Sequence, residues 1–374
     1  MNIAILGAGM VGSAMAKDLS SHFDVCSFDI NQEALNTLSA SGFKLKTKKA
    51  DLQDYENYPA MLEGFDLIVS AVPGYMGFNT LKAIINSGKD CADISFFPEN
   101  ALDLDSLAKE KQVTVITDIG VAPGMSNLII GFYNQQITIN SFEIYVGGLP
   151  KVRKKPFEYK APFSPIDVIE EYTRPARLFE NGRIVVKQAL SEKELIEFDG
   201  LGTLEAFNTD GLRSLLFTMS HIKDQKEKTL RYPGHSELII GLQQAGFFSE
   251  EPMKFGNEMI RPIDVTSKIL FKEWKLAPGD EELTVMKVIL HGTEDGNLKK
   301  IEYNLLDRYD ITTGISSMSR STGYTCTAAA NLIAQKMFTK KGVYPPELIA
   351  STAGCFQFIM DYLKARGVNW IKNY

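Results

Sequence analysis

A glycine pattern near the N-terminus narrows the possible folds of this 374-residue chain more than any other feature. Gly7, Gly9 and Gly12 follow a short apolar run, residues 3–6, and precede a helix-forming segment. In a strand–turn–helix unit, the first glycine permits a tight turn and the second brings the backbone close to a pyrophosphate. The third lets helix and strand pack closely, and the helix N-terminus offers unpaired N–H groups to phosphates. The pattern predicts a dinucleotide-binding turn; the alternative is a structural βαβ unit that binds no nucleotide.

The end of the next predicted strand, residues 25–29, favours the dinucleotide interpretation. Asp29 lies about twenty residues beyond the glycines, where such an acid binds the adenosine ribose hydroxyls. It would repel the extra phosphate of NADP, and Ile30, Asn31 and Gln32 supply no arginine to attract it. The cofactor is therefore predicted to be NAD. Because ligands bind at the carboxyl ends of the strands, the predicted cofactor-binding residues are Gly7, Gly9, Met10, Val11, Gly12, Asp29, Asp51, Leu52, Ala71, Val72, Pro73 and Gly120.

The first third of the chain alternates buried strands with helices. The predicted strands are 3–6, 25–29, 67–72, 91–96 and 113–117, with helices at 13–20, 32–39, 80–87 and 104–111. This alternation predicts an α/β fold with a Rossmann-type, doubly wound parallel sheet.

The middle of the chain reads differently. Its predicted strands, 142–148, 183–188, 195–198, 283–291 and 299–307, are separated by fewer helices, and the charged run 223–228 reads as a solvated face. We predict an inserted α+β second domain with a mixed or antiparallel sheet. The tail helices, 325–338 and 351–366, are expected to pack back on the first domain. The predicted division is residues 1–122 with 321–374, and residues 123–320.

Composition excludes several classes of protein. A net charge of −6 gives no basic footprint for nucleic acid, and no apolar run is long enough to span a membrane. The N-terminus does not read as a signal peptide. The four cysteines are far apart with no CxxC pair, so neither a zinc site nor a disulfide framework is predicted, and a cytoplasmic location is expected. HExxH, other clustered metal ligands and GxSxG are also missing.

Four segments carry the family pattern. They are Asp118-Ile-Gly-Val-Ala-Pro-Gly-Met-Ser-Asn127, Lys228-Thr-Leu-Arg-Tyr-Pro-Gly-His235, Asp307-Arg-Tyr-Asp310 and Ser317-Met-Ser-Arg-Ser-Thr-Gly-Tyr324. They resemble the saccharopine dehydrogenase family, and the resemblance covers essentially the full chain. It implies oxidation of a C–N bond on a small lysine-derived amino acid, with a nicotinamide cofactor as hydride acceptor. It also implies a homodimer assembled through the second domain.

One position departs from the saccharopine-oxidising members. They carry Asn-Arg-Asp where this chain has Asn208-Thr209-Asp210, and their arginine holds a carboxylate of the substrate's glutamate arm. Threonine cannot form that bidentate charged pair. The pattern is therefore closest to lysine 6-dehydrogenase, which predicts oxidative deamination of lysine at its 6-amine to the semialdehyde and ammonia. Arg213 is near enough to substitute, so saccharopine or another secondary amine is the alternative substrate.

Two residues are predicted to be catalytic. Asp118 follows a predicted strand and would bind and polarise the amine; alternatively it caps the following helix. His235 titrates near neutrality and would shuttle protons; alternatively it bonds a backbone carbonyl.

The predicted substrate-binding residues are Arg231, Thr229, Arg174 and Asp210. Arg231 would clamp the substrate's α-carboxylate, unless it forms an interdomain salt bridge. Arg174 would offer a second carboxylate contact. A protein of a different class, a non-catalytic NAD-binding sensor, would share the fold but not this chemistry.

Overall fold

Two large sheets organise the computed structural model, which describes residues 1–163, 165–277 and 279–373. The strands are β1 Asn2–Leu6, β2 Asp24–Asp29, β3 Lys46–Lys49, β4 Leu67–Ser70, β5 Asp90–Asp93, β6 Thr114–Ile116, β7 Thr138–Pro150, β8 Ala176–Glu180, β9 Arg183–Lys187, β10 Glu194–Phe198, β11 Gly202–Asn208, β12 Asp224–Arg231, β13 Met253–Phe255, β14 Glu258–Ile260, β15 Glu282–Glu294, β16 Asn297–Arg308, β17 Gly342–Tyr344 and β18 Trp370–Asn373.

Helices cover both faces of the first sheet, and the helices Met125–Tyr133 and Ser317–Ala334 contact the second sheet. They are α1 Met10–Leu19, α2 Gln32–Ser39, α3 Tyr58–Leu62, α4 Gly74–Asn86, α5 Asp105–Glu110, α6 Met125–Tyr133, α7 Pro165–Thr173, α8 Leu215–Thr218, α9 His235–Gln244, α10 Pro262–Trp274, α11 Ser317–Ala334, α12 Pro346–Ile349 and α13 Cys355–Ala365.

The first sheet confirms the predicted parallel architecture. Its strand order is β17-β6-β5-β4-β1-β2-β3, and neighbouring strands run parallel. The side chains of β4 are buried throughout because helices cover both faces. The sequence prediction missed β3 and β17, the two edge strands. The first is the polar segment Lys46–Lys49 and the second has three residues, so neither shows a long apolar run.

The second sheet is mixed, with the order β10-β11-β12-β7-β15-β16-β18, and β8 joins β12 to β9. Its strand β12 runs parallel to β7 and antiparallel to β11. The prediction of a solvated face at 223–228 is wrong for most of this segment, because β12 is an interior strand of the sheet and only Lys223 and Asp224 are exposed. Glu227 and Lys228 are both buried there. Burial of Lys228 is compensated by an ion pair, because its ammonium lies 2.7 Å from the Glu194 carboxylate.

The C-terminal helices pack back on the first domain, as predicted. The carboxylate of Asp18 in α1 accepts hydrogen bonds from Thr327 at 2.5 Å, Tyr362 at 2.7 Å and Arg366 at 2.6 Å. The polypeptide then crosses to the other sheet, because β18 pairs with β16. Residues 321–374 were predicted to belong to the first domain, but their last strand, β18, belongs to the second sheet.

The length and hydropathy of the helices bear on membrane insertion. Within the described ranges, no helix is both long and apolar enough to cross a bilayer.

Candidate active site

A cavity of about 980 Å³ lies between the two sheets. Its first end is formed by the carboxyl ends of β1, β2 and β4, at the point where the strand order reverses, and its second end by β7, β12 and α7. All twelve predicted cofactor-binding residues line it. So do the four predicted substrate-binding residues, Arg174, Asp210, Thr229 and Arg231. Neither predicted catalytic residue, Asp118 or His235, lies in its wall.

The glycine turn has the geometry that a dinucleotide requires. Gly7 has φ +105°, a left-handed conformation that favours glycine. A Cβ on Gly12 would lie 2.1 Å from the Gly7 carbonyl oxygen, so no larger residue fits between helix and strand. Gly9 has no heavy atom within 4 Å of an added Cβ, which leaves the backbone at the start of α1 open to the cavity. These residues fit a pyrophosphate at a helix N-terminus.

Asp29 is fixed beside this turn. Its carboxylate accepts hydrogen bonds from the backbone N–H of Ala8 at 2.6 Å and of Asn31 at 2.8 Å. The same Asn31 caps α2, its side chain accepting from Glu33 and Ala34. The acid is therefore held at the first end of the cavity by the backbone around it.

The second end of the cavity is rich in charged side chains that the sequence prediction did not select. These charged lining residues include Glu170 and Glu171 from α7, Glu227 from β12 and Lys275 after α10. A strand assignment for β12 would have revealed Glu227, because Glu227, Thr229 and Arg231 alternate onto one face. The two glutamates of α7 lie in a helix that the prediction left out, and nothing in their local sequence distinguishes them.

Arg231 is 2% exposed and already has several partners. Its Nε donates to the Tyr172 hydroxyl at 2.9 Å, and its Nη2 donates to the Glu171 carboxylate at 3.1 Å. Its guanidinium carbon also lies 4.4 Å from the centre of the Tyr159 ring. Burial raises the pKa of Glu171, and the Arg231 cation opposes that rise. A substrate carboxylate would have to compete with Glu171 for this arginine.

His235 is linked to Arg231 through the hydroxyl of Tyr172. The histidine Nδ1 lies 2.9 Å from the carbonyl oxygen of Phe157, which can only accept, so Nδ1 carries the proton. Its Nε2 then accepts from the Tyr172 hydroxyl at 2.9 Å. Burial and the Arg231 cation lower the pKa of His235 to about 3, so the ring is neutral. The hydrogen bond to a backbone carbonyl is the alternative that the sequence analysis gave to proton shuttling. Because His235 binds the Tyr172 hydroxyl that contacts Arg231, we regard it as a residue that positions Arg231.

Arg174 has capacity left for a ligand. It forms an ion pair with Glu170 and lies 5.3 Å from the centre of the Phe96 ring. Its buried Nη1 has no hydrogen-bond partner in the described part of the protein. Since Arg174 lines the cavity, this unpaired donor makes Arg174 a candidate to bind an anionic group of a substrate.

Glu227 and Thr209 form a buried pair in the cavity wall. The Thr209 hydroxyl donates to Glu227 Oε2 at 2.7 Å and lies 2.8 Å from the Thr229 hydroxyl. Burial raises the pKa of Glu227 to about 8; the Glu171 and Asp210 carboxylates add to this effect and the Thr209 hydrogen bond opposes it. Asp210 itself is neutralised by Arg177 through two bonds of 2.9 and 2.8 Å. No cation forms a salt bridge with Glu227 among the residues described.

Asp118 faces away from the main cavity. Its φ of +54° turns the side chain toward Arg213, whose Nη2 lies 3.0 Å from the carboxylate. Both side chains are buried, and they line a separate, much smaller cavity. This geometry does not support the predicted catalytic role of Asp118. It also removes Arg213 as a replacement for the arginine missing at Thr209, because Asp118 and the Phe97 carbonyl bind its guanidinium.

Family models match nearly the whole chain. Residues 3–116 match the saccharopine dehydrogenase NADP-binding domain, and residues 120–368 match the saccharopine dehydrogenase C-terminal domain. The protein belongs to the saccharopine dehydrogenase family. The resemblance read from the sequence motifs is thus confirmed, including the second domain.

Similar curated proteins are named for related activities. The mouse mitochondrial alpha-aminoadipic semialdehyde synthase is 24% identical over 266 residues, which cover 67% of this chain and 28% of that protein. A saccharopine dehydrogenase [NADP(+), L-glutamate-forming] of Pyricularia oryzae is 24% identical over 273 residues, covering 70% of this chain and 60% of that protein. The chain therefore spans less than two thirds of these relatives' lengths.

Solved structures confirm the fold. Apo saccharopine dehydrogenase (L-Glu forming) from Saccharomyces cerevisiae superposes with a TM-score of 0.79 at 18% identity, covering 100% of this chain and 99% of that chain. Homospermidine synthase from Legionella pneumophila, solved with NAD, gives a TM-score of 0.67 at 15% identity and covers 100% and 91%. The Rossmann-type domain thus occurs with a second, mixed-sheet domain in both.

Proposed function

We propose that this protein is an NAD-dependent dehydrogenase that oxidises the C–N bond at the 6-amine of lysine and releases ammonia. The observation that carries the proposal is the Thr209–Glu227 pair. Where saccharopine-oxidising members place an arginine, this protein places a neutral hydroxyl bonded to a buried carboxylate. That environment suits an ammonium group and opposes a carboxylate.

The remaining charges of the cavity fit the other end of lysine. Arg174 offers its Nη1 to the α-carboxylate, and Arg231 lies in the same wall. The α-amino group can be bound by one of the carboxylates of α7, Glu170 or Glu171. The substrate would then lie with its side chain directed toward Glu227.

The chemistry requires both a proton acceptor and a hydride acceptor. An ammonium group, with a reference pKa near 10.4, must lose a proton before the carbon beside it can lose hydride. A bound oxidised nicotinamide supplies the hydride acceptor. The protein residues bind the cofactor at the glycine turn and orient the amine. Water then adds to the iminium product, which yields the aldehyde and ammonia.

NAD rather than NADP is supported by the first end of the cavity. Asp29 is held there with its carboxylate facing the cofactor site, where a 2′-phosphate would be repelled. The lining cations, Arg174, Arg231 and Lys275, all lie at the second end. The matching family model is described as NADP-binding and the Pyricularia oryzae relative is named for NADP(+), so the proposal of NAD rests on Asp29 and not on these relatives.

A second substrate, saccharopine, is favoured by the names of the relatives. These names include saccharopine dehydrogenase, and three cations in the cavity wall could meet three carboxylates. Against this, Arg231 already pairs with Glu171, and Thr209 stands where saccharopine-oxidising members place an arginine.

A substrate panel decides between them. The protein is mixed with NAD or NADP and with lysine, saccharopine or cadaverine, and NADH or NADPH, ammonia and glutamate are measured. We expect a lysine kcat/KM at least tenfold above that for saccharopine, with ammonia formed in proportion to NADH. Glutamate as the main product would establish saccharopine instead, and no reduction of either cofactor would favour the non-catalytic sensor.

A further inference from the structure

We propose that Glu227 is a catalytic residue, the group that binds the substrate's terminal ammonium and takes its proton before hydride leaves. This inference rests on the proposed oxidation of an amine and assigns its base. It replaces both residues that the sequence favoured, since Asp118 faces another cavity and His235 is fixed as a neutral acceptor.

The fold makes room specifically for this carboxyl group. Gly211 packs directly against it, and a Cβ added at that glycine would lie 2.4 Å from Glu227 Cδ. The backbone N–H of Gly211 and the Thr209 hydroxyl both hydrogen-bond the carboxylate. The segment Thr209–Asp210–Gly211 thus supplies a small hydroxyl and a glycine at the two positions that contact Glu227. Any larger side chain at 211 would displace it.

The charged side chains around Glu227 pair with one another, so a cationic substrate group could pair with Glu227. From α7 it faces Glu171, which is paired with Arg231, and from the loop after β11 it faces Asp210, which is paired with Arg177 of β8. Lys226 and Lys228 of its own strand pair with Glu143 and Glu194 instead. Among the described residues, Glu227 is therefore a buried acid surrounded by neutralised pairs. Its pKa of about 8 means that it takes up or releases a proton near physiological pH.

The proposed step balances as follows. The ionised Glu227 carboxylate accepts one proton from R–CH2–NH3⁺, which leaves the neutral amine. With an oxidised nicotinamide bound, the adjacent C–H bond would break with its electron pair passing to that cofactor, and the C–N bond would become a double bond. Water attacks this iminium carbon, and ammonia leaves as ammonium. The net products are one aldehyde, one NADH, one ammonium ion and one proton released through Glu227.

The pH profile of Glu227→Gln tests the proposal. The natural protein is expected to show a kcat/KM that rises with an apparent pKa near 8. Glu227→Gln should lower kcat/KM roughly hundredfold or more and abolish this rise, because an amide cannot accept the proton. Glu227→Asp should restore part of the activity. Turnover is measured with whichever amine produces reduced cofactor in the substrate panel, and NADH affinity should be unchanged.

A matched control lies on the same sheet. Glu143→Gln removes a carboxylate that pairs with Lys226 rather than lining the cavity, and it should leave the pH profile unchanged. Thr209→Val removes the hydrogen bond that lowers the pKa of Glu227, so it should move the acid limb to higher pH. Thr209→Val with an unmoved acid limb would contradict the assignment.

A binding measurement separates this proposal from the proposed function. Calorimetric titration of the NADH-saturated protein with lysine, in buffers of different ionisation enthalpy, counts the protons released without turnover. Proton release that Glu227→Gln abolishes supports the assignment, even if another amine is the true substrate. A Glu227→Gln variant that turns over within threefold of the natural protein overturns it and leaves the proposed function standing. Absence of both binding and turnover of any amine overturns both.

Discussion

The two ends of the cavity are built by different means. The first end, at the glycine turn, is formed mainly by backbone groups. Gly7, Gly9 and Gly12 shape it, and the first turn of α1 supplies its N–H groups. The second end is formed mainly by side chains. Ion pairs such as Glu171–Arg231 lie around Glu227, which forms no salt bridge among the described residues.

This contrast has a physical origin. A pyrophosphate is recognised by a fixed array of N–H groups, which the backbone provides wherever glycine allows close approach. An amine undergoing oxidation needs groups that gain and lose protons, and only side chains do so. Cofactor binding at the first end is therefore expected to depend little on pH, while reactivity at the second end is expected to depend on it strongly.

The largest effect is expected from added volume at the glycine end. Gly12→Ala places a methyl group 2.1 Å from the Gly7 carbonyl oxygen, so the turn must shift. We expect NADH affinity, measured by fluorescence titration, to fall at least hundredfold, about 2.7 kcal/mol. Gly64→Ala, which meets no heavy atom within 4 Å, is the control. Unchanged NADH binding by Gly12→Ala would contradict the inference that the close-packed backbone turn recognises the cofactor.

Loss of an available cation at the other end should act on substrate alone. Arg174→Met removes the unpaired Nη1, and we expect the kcat/KM for lysine to fall about thirtyfold, roughly 2 kcal/mol, with NADH affinity unchanged. Cadaverine, which has no carboxylate, should be affected much less. The exposed Arg261→Met serves as control. Equal losses for lysine and cadaverine would place the carboxylate site elsewhere, with Arg231 as the next residue to test.

The buried acid should also make stability depend on pH. Glu227 has a folded pKa of about 8 against about 4.5 in the unfolded state, so between these values the native state holds a proton that the unfolded state releases. Its contribution to the free energy of unfolding therefore falls as pH rises through this window.

Glu227→Gln should remove that fall. Urea titrations at pH 5 and pH 8.5 should show the variant losing roughly 1.5 kcal/mol less stability than the natural protein over this range. Glu143→Gln again provides the comparison. Parallel pH dependences for the natural protein and Glu227→Gln would show that the second end is less sensitive to protonation than we infer.

The smallest effect concerns the cofactor's 2′ position. NAD should bind at least tenfold more tightly than NADP, about 1.4 kcal/mol, because Asp29 faces the ribose. Asp29→Ala combined with Ile30→Arg should narrow or reverse the ratio, measured by titration with NADH and NADPH. Equal use of both cofactors by the natural protein would show that Asp29 does not reach the ribose.

Sequence reasoning was most accurate where the information is local. The turn at Gly7 and the acid Asp29 lie within one βαβ unit, the first sheet follows from a regular alternation of strands and helices, and the twelve residues predicted to bind the cofactor all line the cavity. It failed at β12, whose charges resemble a solvated surface in a linear reading. It also favoured Asp118 over Glu227 because the former follows a strand, although its positive φ directs the side chain away.

The sequence by itself determined the family, the parallel sheet and the dinucleotide turn, because glycine spacing and strand periodicity act over a few residues. Only the tertiary structure decided which charged groups share the cavity. Glu227 contacts Thr209 because β11 and β12 are paired strands. Arg213 does not line the main cavity, because its guanidinium is bound to the Asp118 carboxylate. Whether a buried carboxylate is paired or free depends on neighbours that are distant in sequence, and it is that pairing which sets its chemistry.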